Sequence, residues 1–286
     1  MGLRREYKPS AWIRIGLLVL LLVIVVWATS CGLGAATKDK KQDWRPTQEI
    51  ATMERLFEVA LEPVGKTMYV WGGGWDPDDA KAGTTATQIG MPKAWADFAK
   101  EQTKDYDFEE YLENPKQQEY WGRNLQELGL DCSGYVGWVM YNLFQEKDGK
   151  EGYVSQSTGM AEALAERGWG QFIRNPREFL SGDIVSMMGH VWICLGTCED
   201  GSVLLVHSSP PGVSVCGTEG IATQLATEYM TIYHSKWQGK YPNRTVPLTY
   251  LENVTVLRWN SNTLKNAKTY QEKTGEEMMG NLMSRN

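Results

Sequence analysis

The fold and chemistry of this chain turn on residues 128–144, "LGLDCSGYVGWVMYNLF". A loop-like start gives way, after Asp131-Cys132-Ser133, to an apolar run in which Val136, Val139, Met140 and Leu143 recur at helical spacing. The pattern predicts a core helix whose first residue is Cys132. A thiol there meets the positive end of the helix dipole, which lowers its pKa. The unpaired N–H groups of the first turn can also receive an oxyanion. Cysteine is equally at home as a small buried hydrophobe, so helix position alone does not make Cys132 reactive.

A reactive thiol needs an imidazole to exchange its proton and a third group to orient that imidazole. The chain has three histidines. His190 opens one β-like run, "HVWICLG", and His207 closes the next, "VLLVHSS". If these strands are antiparallel neighbours, both histidines lie near one edge of the sheet. Period-2 alternation then puts His190, Trp192 and Cys194 on one face of their strand, and Val203, Leu205 and His207 on one face of the partner. His234 has no motif around it and reads as structural. Cys132, His190 and His207 are also potential zinc ligands, but no C-x-x-C or H-x-x-x-H pair supports a metal, and none is expected.

Outward from this centre, "GDIVSMM", "HVWICLG", "SVLLVHSS", "MTIYHSKW" and "VTVLRW" are rich in β-branched and aromatic residues and predict strands. Upstream, Ile50, Met53, Phe57 and Ala60 recur at helical spacing behind a capping Thr47. "EPVGKTMYVWGGG" then predicts a short strand running into a glycine turn at residues 72–74. Helices followed by a strand meander is the α+β order. Residues 75–130 are polar, with helical candidates near 92–104 and 117–128. Residues 261–286 read as a polar tail, expected to be loosely held.

Charge is unevenly spread. Residues 1–43 carry a net +4, and the rest of the chain carries -10. An acidic body argues against nucleic-acid partners. The basic part, with Arg4, Arg5, Lys8 and Arg14, precedes a run without charge from Ile15 to Thr37. That order keeps the N-terminus in the cytoplasm and sends the body outward. Residues 1–37 are either a membrane-spanning anchor or a lipoprotein signal in which "ATSC" presents Cys31 for lipidation. Both place the body outside the cytoplasmic membrane. A polar linker, residues 38–46, follows.

"YVWGGG", "DCSGYVGWVMY", "GDIVSMMGHVWICLG" and "VLLVHSS", in that order, resemble the NlpC-type papain-like cysteine peptidases of bacterial cell walls. The resemblance covers residues 47–260 and implies a papain-like fold with the catalytic cysteine at a helix N-terminus, packed on an antiparallel sheet. It implies Cys132 as nucleophile, His190 as base and His207 as the orienting residue. It places Tyr69 beside the nucleophile, and in some members Asp131 and Ser133 match residues that hold the free amine of a stem peptide. The implied substrate is a peptidoglycan stem peptide, cut between γ-D-glutamate and the diamino acid, with no cofactor. A muramoyl-alanine amidase, an acyltransferase and a non-catalytic wall-binding protein remain alternatives.

Residues 75–130 are longer than the family's usual connection. They read either as a lid over the substrate groove or as a surface decoration. An extracytoplasmic setting permits a disulfide, and Cys198–Cys216 is the pair proposed, with Cys194 packed in the core. "NRT" and "NVT", at Asn243 and Asn253, fit glycosylation acceptors by chance only.

Overall fold

The computed structural model describes residues 51–74, 89–109, 128–144 and 153–284. Residue Thr47, the anchor with Cys31, the linker and all but the last residue of the helical candidate at 117–128 lie outside these residues. Among the described residues no helix is long and apolar enough to cross a membrane.

The chain is mixed α+β. In order it forms α1 (Met53–Leu61), β1 (Met68–Tyr69), α2 (Lys93–Glu101), β2 (Gly129–Leu130), α3 (Cys132–Phe144), α4 (Met160–Glu166), β3 (Gly170–Arg174), β4 (Ile184–Met187), β5 (His190–Thr197), β6 (Val203–Ser209), β7 (Gly212–Gly217), α5 (Gly220–Tyr233), α6 (Ser235–Lys240), β8 (Thr255–Trp259), α7 (Ala267–Gln271) and α8 (Gly275–Met283). The strands make one eight-stranded sheet in the order β2-β1-β7-β6-β5-β4-β8-β3. All its pairings are antiparallel except β1 with β2.

The central strands follow their apolar content. Val191, Ile193, Leu195, Leu204 and Val206 point to one face and join a large core with α1, α3, α5 and α8. Trp192, Cys194, Val203, Leu205 and Cys216 point to the other and form a smaller cluster with Val246, Val254 and Val256. This is the alternation expected of strands buried on both sides. Helix α3 is enclosed rather than one-faced: Tyr135 and Trp138 are as buried as Val136, Val139 and Met140. Asp183 lies at the start of β4 and is fully buried. Arg258 of β8 clamps it through Nε (3.1 Å) and Nη2 (2.8 Å), and the pair ties β4 to β8.

Four expectations are corrected. Helix α1 is capped by Thr52, whose hydroxyl accepts from Arg55 N–H. "MTIYHSKW" is not a strand; it ends α5 and begins α6, because its β-branched residues continue a helix already set by Ala222, Ala226, Tyr229 and Met230. Residues 261–284 are not a loose tail. They bury Leu264, Ala267, Tyr270, Met278, Met279 and Leu282, and α8 begins with a capping box at Thr274 and Glu277. The four described cysteines are free. Cys198 belongs to the large core and Cys216 to the cluster on the opposite face, so the sheet itself separates the proposed disulfide partners.

The described part of the 75–130 segment is fastened to the rest of the fold. Trp95 of α2 is fully buried against Trp138 of α3, ring centroids 5.9 Å apart. Tyr241 O–H donates to Thr103 O (2.6 Å) and Lys240 Nζ to Gln102 O (2.6 Å), which fastens residues 100–103 to the α6 end.

Candidate active site

Two glycine-bearing turns build the platform. The turn at residues 70–74 and the first turn of α3 meet backbone to backbone: Asp131 N–H donates to Gly73 O at 2.9 Å. A Cβ on Gly134 would stand 1.8 Å from Gly73 O, so only glycine fits the D-C-S-G position. Gly74 adopts φ +93°, a second place where a side chain is excluded. The two motifs, 60 positions apart in sequence, are one structural unit.

Asp131 is the cap of α3. Its Oδ1 accepts from Gly134 N–H (2.6 Å) and Ser133 O–H (2.9 Å), and its Oδ2 accepts from Gly72 N–H (3.1 Å). Both Asp131 and Ser133 are buried. The carboxylate named from the resemblance as an amine ligand holds the glycine turn to the start of α3. Gly134 N–H and Tyr135 N–H are taken by Asp131, whereas the N–H groups of Cys132 and Ser133 face the thiol.

Cys132 is 7% exposed, with Sγ 4.0 Å from Gly189 O and the N–H of Val191 directed at it. The thiol thus lies against the residues on either side of His190. His190 Nε2 and His207 Nδ1 are 2.9 Å apart. Because His190 spends Nε2 on this bond, Nδ1 is the ring nitrogen left for another partner. His207 is 4% exposed, and its Nδ1 can accept only while the ring is neutral. Burial favours that state, holding His207 well below the usual range, with the charge that His190 would carry when protonated and that of Arg244 acting in the same sense. Burial likewise lowers His190 to about 4.

One electrostatic expectation is overturned. Burial, followed by the charge of Asp131, pushes the Cys132 thiol up to about 12, against the lowering by nearby N–H groups. Desolvation outweighs the helix dipole because the thiolate would lose far more hydration than a half-charge of dipole returns. Burial therefore favours the neutral form of both the thiol and the imidazole.

Tyr69 lies close enough to Asp131 and Cys132 to feel both charges, and burial first, then these charges, raise its pKa, so the hydroxyl remains a donor. Phe108 packs edge-on against its ring at 5.0 Å, and Tyr106 O–H donates to Tyr69 O at 2.8 Å. The 89–109 segment therefore reaches the site itself.

Sequence reasoning missed Tyr250. It lies on a 3-10 turn, Leu248–Leu251, with its ring 5.1 Å from His190 and 5.9 Å from His207. No motif surrounds it. Three large exposed apolar side chains are close in sequence to residues of the site. Trp71 adjoins Gly72, Met188 adjoins Gly189, and Leu248 lies two residues before Tyr250. His234 packs on Tyr229 at the α5–α6 junction. Among the described residues no three His, Cys, Asp or Glu side chains are grouped as a metal ion would require.

No protein-family model, no curated protein and no solved structure matches this chain.

Proposed function

We propose that this chain is a cysteine peptidase of papain-like, NlpC type that hydrolyses peptidoglycan stem peptides outside the cytoplasmic membrane, to which residues 1–37 tether it. The observation that carries the reading is the 2.9 Å His190–His207 bond, placed beside a thiol at a helix N-terminus. A buried cysteine with a purely packing role has no need of an oriented imidazole pair next to it.

The chemistry is acyl transfer to water. His190 Nδ1 takes the Cys132 proton as sulfur attacks the peptide carbonyl, so charge separates only when substrate is in place. The N–H groups of Cys132 and Ser133, with the Tyr69 hydroxyl, are the donors for the tetrahedral oxyanion. His190 then protonates the departing amine and activates water to hydrolyse the thioester. His207 accepts the Nε2 proton throughout and so holds the productive tautomer. The substrate class comes from the motif resemblance. The same thiol and imidazole pair would also serve a second reading, a related thiol acyltransferase, in which an amine rather than water takes the acyl group.

Digestion of purified muropeptides with fragment identification by mass spectrometry tests the reading. Free diamino-acid amines are the expected product. Free lactyl ends indicate an amidase, and transfer of an acyl group to an added amine indicates the second reading. Intact muropeptides and no transfer overturn both.

A further inference from the structure

We propose that Tyr250 is a positioning residue: its ring roofs the His190–His207 hydrogen bond and keeps water off it. The inference rests on the peptidase reading for its catalytic consequence, but its structural part stands alone.

The ring lies against both partners of the bond at once, tilted 52° to His190 and 73° to His207, with centroids at 5.1 and 5.9 Å. Its hydroxyl lies within electrostatic reach of the Ser209 side chain at the end of β6. It is the ring of the residue that packs against both histidines. The chain around it is pinned on both sides. Val246 N–H donates to Gly217 O (3.0 Å) and Gly217 N–H to Arg244 O (2.9 Å), which stitches residues 244–246 to the end of β7. Beyond the turn, Val254 is buried and leads into β8. Tyr250 N–H closes the turn on Pro247 O at 3.0 Å.

His207 is buried by the sheet, but His190 opens β5 and is only partly covered. Tyr250 supplies part of that cover, its ring lying against His190 and His207 together. A hydrogen bond between neutral imidazoles strengthens in a low-dielectric setting and weakens when water competes for either nitrogen. Removing the ring frees His190 to rotate or to switch tautomer, which takes the lone pair of Nδ1 away from the thiol.

The test compares wild type, Tyr250→Phe and Tyr250→Ala in the full chain, with near-ultraviolet circular dichroism to confirm that each is folded. Nuclear magnetic resonance should show a downfield, slowly exchanging imidazole N–H in wild type and Tyr250→Phe, and a broadened or absent one in Tyr250→Ala. On muropeptides, Tyr250→Ala should lower kcat by about tenfold to a hundredfold with little change in KM, while Tyr250→Phe stays within about threefold of wild type. A sharp imidazole signal and full kcat in folded Tyr250→Ala overturn the proposal. Equal damage in Tyr250→Phe overturns it too, by assigning the role to the hydroxyl. If wild type itself is inactive on muropeptides, the peptidase reading fails, and the resonance comparison still decides the role of the ring.

Discussion

One face of the sheet is packed by α3, α5 and α8 into a single large core; the other carries a small apolar cluster that ends at two histidines. Both faces bury Val and Leu, and the second adjoins the paired histidines. The difference separates two tasks. The helical face supplies most of the hydrophobic stabilisation and holds the Cys132 helix rigid. The histidine face is built from few residues, so its bonds can be altered without dismantling the core. Substitutions should therefore split cleanly into those that remove chemistry and those that remove stability.

The largest effect expected is on chemistry. Cys132→Ala removes one small atom from a packed helix and should lower hydrolysis by about a thousandfold or more while the thermal midpoint barely moves. Retained hydrolysis would break the comparison at once. His207→Ala should lower kcat by about a hundredfold, and His207→Asn should recover part of that loss, because an amide oxygen can accept from His190 Nε2 as His207 Nδ1 does. Equal loss in both variants would show that His207 acts by packing alone.

On the helical face the expected loss is one of stability. Trp95→Ala and Met278→Ala each empty a fully buried site and should cost about 2–5 kcal/mol in denaturant unfolding, with kcat of the folded fraction unchanged. These two positions also show where the sequence was hard to read. β4, β5, β6 and β8 announce themselves by β-branched runs, and the two glycine motifs announce the platform around Cys132. Trp95 and Met278 sit in segments whose average composition is polar, and only their helical spacing, diluted by charged neighbours, marks a buried side. β7 was missed because "GVSVCG" is short and bounded by glycines. Tyr250 was out of reach altogether: its role comes from a turn that the pairing of β7 with residues 244–246 brings over the histidines, and nothing local records that pairing.

A smaller effect should appear with pH. Both histidines are held neutral by burial, with folded-state pKa values below the ordinary 6.5, so the unfolded chain binds their protons first. Their contribution to stability is fully present above about pH 6.5 and is lost as the pH falls toward 4. The thermal midpoint of wild type should drop over that window more than that of His190→Gln or His207→Asn; parallel curves would show that the histidines are not buried as described. The thiol adds a kinetic counterpart. With Cys132 raised to about 12, its alkylation by iodoacetamide should be slow at pH 6 and climb steadily through pH 9, whereas a flat, fast rate from pH 5 would mean that the thiolate is already formed at rest.

The last prediction is of no effect, and it bears directly on the separation of the two faces. Cys198 packs against Gly275 of α8 on the helical side, so closely that a Cβ on that glycine would stand 2.6 Å from its sulfur. Cys216 faces the opposite cluster beside Leu205, its partner across the β6–β7 ladder. A bridge between them would have to pass through the sheet, which the reach of a disulfide does not allow. The thermal midpoint should therefore be the same with and without reductant, and denatured protein should present the thiols of Cys132, Cys194, Cys198 and Cys216 to a thiol reagent without prior reduction. A midpoint that falls on reduction, with Cys198 and Cys216 recovered in one linked peptide, would require the two residues to share a face and would undo the division on which every other prediction here depends.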